Sequence, residues 1–143
     1  MPQSDYDIWV EPLSAEAFAP FGEVIELQAA PTAIINQGLC ERHSDLMTID
    51  VEHEGGRVGL SLFQSRHRKL PYRLEMVERH PLGSQAFIPM SEAPFLVIVA
   101  PDNWGKPSTP LAFLTLPGQG INLKRNTWHG VLTPLAGSGR FAV

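Results

Sequence analysis

YRLEMVERHPLGSQAFIP, residues 72–89, decides the fold. Side chains of a strand alternate between its two faces, so Tyr72, Leu74, Met76, Glu78 and His80 share one side and Arg73, Glu75, Val77 and Arg79 the other. The first row is apolar until its last two members. An inward stripe ending in a carboxylate and an imidazole places two ionisable groups where a core would continue, which is costly unless they have partners. Such a row suits a site at the mouth of a barrel. Pro81 keeps His80 extended, and Gly83 lets the chain reverse so that Gln85, Phe87 and Pro89 form the next inward row.

Outward from this stretch the pattern stays short and period-two. Strands are predicted at 23–27, 46–52, 58–64, 72–80, 85–89, 95–100, 111–116, 121–123 and 131–133, separated by turn formers such as Gly55-Gly56, Asp102-Asn103-Trp104-Gly105 and Gly118-Gln119-Gly120. One short helix is predicted, capped by Ser14, running to Phe18 and stopped by Pro20 and Gly22. Many short strands imply an antiparallel sandwich or barrel. The 143 residues, 43% hydrophobic and 18% charged, predict one globular domain over 1–143, and 13 prolines argue against long helices,.

Charge and cysteine usage narrow the function classes. A formal charge of -4 lacks the basic footprint that nucleic-acid backbones require,. The single Cys40 allows no internal disulfide and no zinc-knuckle or redox spacing. Met1–Asp7 carries no basic region leading into an apolar run, and the longest apolar run, 93–101, is far short of the ~20 residues a bilayer span needs. A soluble cytoplasmic protein is the expectation, with neither nucleic acid nor membrane as partner.

A second polar group arises late. After the Gly118-Gln119-Gly120 turn, alternation puts Asn122 and Lys124 on one face, and RNTWHG at 125–130 supplies a tight turn and then His129. The two histidines converge only if the barrel closes. Each residue also has a plainer reading: Glu78 and His80 as solvent-facing strand-end residues, His129 as a turn cap, Lys124 as a solvated charge, and Gln85 as a partner for a barrel backbone group. Asn36-Gln37-Gly38 reads as a turn tolerant of left-handed backbone, and the run Arg66-His67-Arg68-Lys69 as a solvated loop.

Together these residues resemble the ureidoglycolate lyases, also called ureidoglycolate hydrolases, within the cupin superfamily. The resemblance rests on LSAEAFAPFGEV (13–24), Ile35–Gly38 with Glu41, Arg42, His43 and Asp45, ERHPLGSQAFIP (78–89) and GQGINLKRNTWHG (118–130). It implies an all-β cupin-type double-stranded β-helix, a jelly-roll-like barrel, assembled as a homodimer. On the general cupin metal pattern Glu78 stands where the first histidine would be, His80 on the second, Gln85 on the glutamate and His129 on the last histidine. An amide is a poorer ligand than a carboxylate, so the set is degraded, although Glu78, His80 and His129 still offer three donors. The cofactor stays open: a divalent metal such as nickel, or none. Family members usually continue beyond 140–143, implying a missing or shortened final strand.

The implied reaction splits (S)-ureidoglycolate into glyoxylate and urea in purine and allantoin breakdown. It needs a base for the hydroxyl proton, an acid for the leaving nitrogen and a cation for the carboxylate. Lys124, helped by Arg42, is assigned the carboxylate, His80 and His129 the proton transfers, and Glu78 the orientation of His80. Gln85 and Asn36 are assigned the ureido group, with Asn122 as a further substrate contact. Rival readings are a metal-dependent cupin oxygenase or isomerase, and a non-catalytic cupin that binds a small carboxylate.

Overall fold

The computed structural model describes residues 6–143, so the first five residues of the Met1–Asp7 stretch read above lie outside the described residues. In chain order the elements are β1 (Val10–Pro12), α1 (Ala15–Phe18), β2 (Gly22–Ile25), β3 (Ala33–Ile35), β4 (Cys40–Arg42), β5 (Leu62–Gln64), β6 (Gln85–Pro89), β7 (Phe95–Ala100), β8 (Asp102–Asn103), β9 (Lys106–Pro107), β10 (Leu111–Leu114), β11 (Gly120–Leu123), β12 (Trp128–His129), β13 (Thr133–Pro134) and β14 (Arg140–Ala142). The helix begins as predicted, with Ser14 in extended conformation and its hydroxyl accepting from Ala17 N at 3.2 Å,.

Two five-stranded sheets carry the fold, one ordered β1-β10-β7-β12 with β13 also on β7, the other β2-β11-β6-β14-β5. Apart from the parallel β1–β10 pair, the pairings are antiparallel. Their inner faces meet in one core: Phe95, Val97, Val99 and Phe113 from the first sheet, Val24, Phe87, Ile121, Leu123 and Phe141 from the second. Phe95 and Phe141 bridge the sheets edge to face, with centroids 5.0 Å apart. Each such ring contributes ~1.5–3 kcal/mol by leaving water. The result is the predicted all-β, jelly-roll-like sandwich with one short helix. Gly22 is required where β2 crosses β11, since a Cβ there would stand 1.9 Å from Asn122 O.

Two expectations need correction. Residues 72–80 do not form a strand: Tyr72 and Leu74 pack on the outer face of β7, against Leu96, Ile98 and Ala112, and the alternation breaks where Met76 turns to solvent. Glu78 alone joins the sheet, through an isolated bridge to His129. Residues 46–52 form no ladder, because side chains take up their backbone groups: Glu23 accepts from Thr48 N and Ser84 from Asp50 N, both at 2.8 Å. The last strand of this chain, β14, pairs with both β6 and β5. The 36–38 turn does use left-handed backbone, at Asn36, Gln37 and Gly38.

Candidate active site

The site grows from the register of β7. Val99 faces the core and pairs with His129, so the imidazole also points inward,. His129 then pairs with Glu78 by two backbone hydrogen bonds of 2.8 Å, which puts the Glu78 side chain on the same face and, two residues on, that of His80,. Asn126 N donates to His80 O at 2.9 Å and fixes the end of this row. The two imidazole centroids are 5.1 Å apart, and Glu78 Oε1 lies 3.9 Å from His80 Nε2. Burial is graded: His129 is 6% exposed, while the side chains of Glu78 and His80 are nearly half exposed. This is a barrel mouth with one imidazole at its floor and two polar groups at its rim.

His129 Nδ1 contacts its neighbour's carbonyl, Gly130 O, at 3.0 Å, a bond that requires the proton on Nδ1 and leaves a lone pair on Nε2,. That Nε2 is buried and has no partner. Burial is the main reason that the His129 pKa falls below 6.5; His80 adds to the fall, while the Gly130 bond and Glu78 oppose it,. The ring is therefore a neutral acceptor at neutral pH. Gln85 pairs with Leu123, a core residue, and so also faces inward, and its Oε1 is the other buried side-chain polar atom without a partner among the described residues. Beneath lies a cavity of about 20 Å³ lined by Phe87, Val97, Ile121, Leu123, His129 and Leu132, room for about one water,.

The other predicted residues do not meet there. Ile121 and Leu123 point into the core, so Asn122 and Lys124 fall on the outer face of β11,. Asn122 Nδ2 donates to Glu23 Oε1 at 3.0 Å and to Thr48 O at 2.8 Å. Lys124 Nζ donates to Ala19 O at 2.8 Å and lines an open groove of about 740 Å³ that includes neither histidine. Asn36 and Arg42 belong to the hairpin of β3 and β4, a separate two-stranded sheet whose Ile34 and Leu39 are exposed. Sequence reading overlooked Arg79 and Asp102, whose side chains meet beside the site; Arg79 was visible only as an outward residue and Asp102 only as part of a turn.

The donor set suits a metal ion. Glu78, His80 and His129 each offer a ligand atom, all within 4.8 Å of one another. The free Nε2 lone pair on a ring oriented through Nδ1 is the arrangement that metal-binding histidines adopt.

The model of the family described as ureidoglycolate lyase matches residues 5–143. The chain belongs to the ureidoglycolate lyase family. It is 56% identical over 136 residues to a ureidoglycolate lyase of Rhodobacter capsulatus, covering 95% of this chain and 84% of that protein. A ureidoglycolate lyase of Chelativorans is 52% identical, with 95% and 82% covered, and ureidoglycolate lyase 2 of Rhizobium meliloti is 50% identical, with 94% and 82% covered. The matched range spans every element of the two sheets.

Proposed function

We propose that this chain, as one domain of 143 residues, cleaves (S)-ureidoglycolate to glyoxylate and urea. The observation that supports it most is the pair of buried, unpartnered acceptors, His129 Nε2 and Gln85 Oε1, facing the interior beside a second imidazole. Buried acceptors without donors are costly, and the substrate carries O–H and N–H groups able to satisfy them. His129 Nε2 takes the hydroxyl proton. The oxygen electrons form the aldehyde C=O, the C–N bond breaks, and its electron pair goes to the ureido nitrogen. His80, beside Glu78, acts as the acid that gives that nitrogen its proton, and Gln85 accepts from the ureido N–H groups,.

The three-donor cluster supports a second, metal-assisted reading. An ion held by Glu78, His80 and His129 would supply a positive centre for the substrate's carboxylate and hydroxyl oxygens. The finer expectations belong to the same proposal: cupin ancestry, allantoin breakdown in the cytoplasm, and a homodimer that covers the apolar side chains of the β3–β4 hairpin,.

The test is to follow urea and glyoxylate together from racemic ureidoglycolate, subtracting spontaneous decay, with and without chelator. Equimolar release from half of the racemate is expected. No release above the spontaneous rate overturns the lyase reading, and loss on chelation with recovery on adding nickel selects the metal-assisted form. Lys124→Ala is expected to leave KM unchanged, because the lysine faces the outer groove and not the histidines; a raised KM would restore the carboxylate role.

A further inference from the structure

The side chains on the reverse of the site strands form a group of their own. Arg79 lies between Glu78 and His80, and Trp128 directly precedes His129. Both reach Asp102, on β8 just past the end of β7. Arg79 Nη1 donates to Asp102 Oδ1 at 3.0 Å, Trp128 Nε1 donates to the same oxygen at 2.9 Å, and the guanidinium stacks on the indole with its carbon 4.4 Å from the ring centroid. Asp102 Oδ2 accepts from Gly105 N at 3.2 Å, so the carboxylate is itself anchored by the β8–β9 turn.

We propose that Arg79, Trp128 and Asp102 form an outer clip that positions the catalytic side chains on the opposite face. The three inward groups hang from two short segments joined by the isolated bridge of Glu78 to His129 and by one further backbone bond, Asn126 N to His80 O at 2.9 Å, without an extended ladder to fix their register. Alternation makes each clip residue the immediate neighbour of an inward one, so holding Arg79 against Trp128 holds Glu78 and His80 against His129. The relative magnitudes assign the group to positioning over stability. Exposed ion pairs add little to folding, and the Arg79 and Asp102 side chains are 31% and 48% exposed. A displacement of a reacting group by about 1 Å, by contrast, costs on the order of a hundredfold in rate.

This inference rests on the lyase reading for its rate effect, so the experiment carries a second readout that does not. Asp102→Ala is expected to lower kcat about tenfold with KM within about twofold, and to move the thermal midpoint by less than about 4 °C. Asp102→Asn, which keeps an acceptor for Trp128 Nε1, is expected to recover most of the rate. In the same proteins, the nuclear Overhauser contact between ring protons of His80 and His129 is expected in the wild type and in Asp102→Asn and is expected to vanish in Asp102→Ala. A ring contact that survives in Asp102→Ala overturns the clip, as does a midpoint that falls in step with kcat. A wild type that shows the ring contact but releases no urea overturns the lyase reading alone.

Discussion

The two faces of the sheet around β11 treat buried polar groups in opposite ways. On the outer face, Asn122 is buried yet donates to both Glu23 Oε1 and Thr48 O. On the inner side, Gln85 of this sheet and His129 of the sheet that faces it each present a buried acceptor to nothing among the described residues. A satisfied network holds loops onto a sheet, whereas an unsatisfied one raises the free energy of the empty state and is relieved by a ligand. The contrast separates framework from chemistry more sharply than residue type does, since both faces carry amides and ionisable groups.

His129→Ala breaks the inner side of this contrast most strongly. Loss of the base is expected to lower kcat by about 10²–10⁴-fold, while denaturant unfolding shows little loss of stability because a desolvated imidazole has been removed. Asn122→Ala does the reverse. It strands Thr48 O and leaves Glu23 Oε1 with only its bond from Thr48 N, so unfolding in urea is expected to show a loss of ~1–3 kcal/mol,, with kcat per folded molecule nearly unchanged. Gln85→Met removes an unpaired acceptor at similar volume; KM is expected to rise about tenfold, the value of one hydrogen bond of ~1.4 kcal/mol, with stability equal to or above that of the wild type. Equal stability losses in Asn122→Ala and Gln85→Met would erase the distinction between the faces.

The smallest expected effect lies in pH. Because the folded His129 pKa lies below 6.5, the unfolded chain takes up a proton first as pH falls. Unfolding stability from this residue is therefore complete above about 6.5 and is lost progressively below it. His129→Gln is expected to flatten that part of the stability curve, read by thermal unfolding from pH 7.5 down to 5. A wild type and variant with parallel curves would contradict a depressed pKa.

Much of this framework was legible in the sequence, and the reasons are local. Strands β6 and β7 have the predicted bounds because period-two and continuous apolar runs end at proline or glycine turns, and Ser14 marks the helix start because capping depends on its neighbours alone. The fate of 72–80 was not legible: Tyr72 and Leu74 alternate like a core strand, but they cover the outer face of β7, and periodicity cannot tell which side of a sheet a row meets. The β3–β4 hairpin was missed because its apolar residues stay exposed, leaving no burial pattern to read. Glu78, His80 and His129 were found by spacing and resemblance. Placing Lys124 with them required knowing the register of β11, where one residue decides the face.

Strand β7 is buried along its whole length, Phe95 to Ala100, with the aromatic core on one side and the Tyr72–Leu74 cover on the other. Its amides, paired to β10 on one edge and to β12 and β13 on the other, have no local route to solvent. Their deuterium uptake should therefore follow only complete unfolding, whereas the β3–β4 hairpin should label within early time points. The slowest-exchanging backbone in the molecule would then be the segment against which His129 is registered.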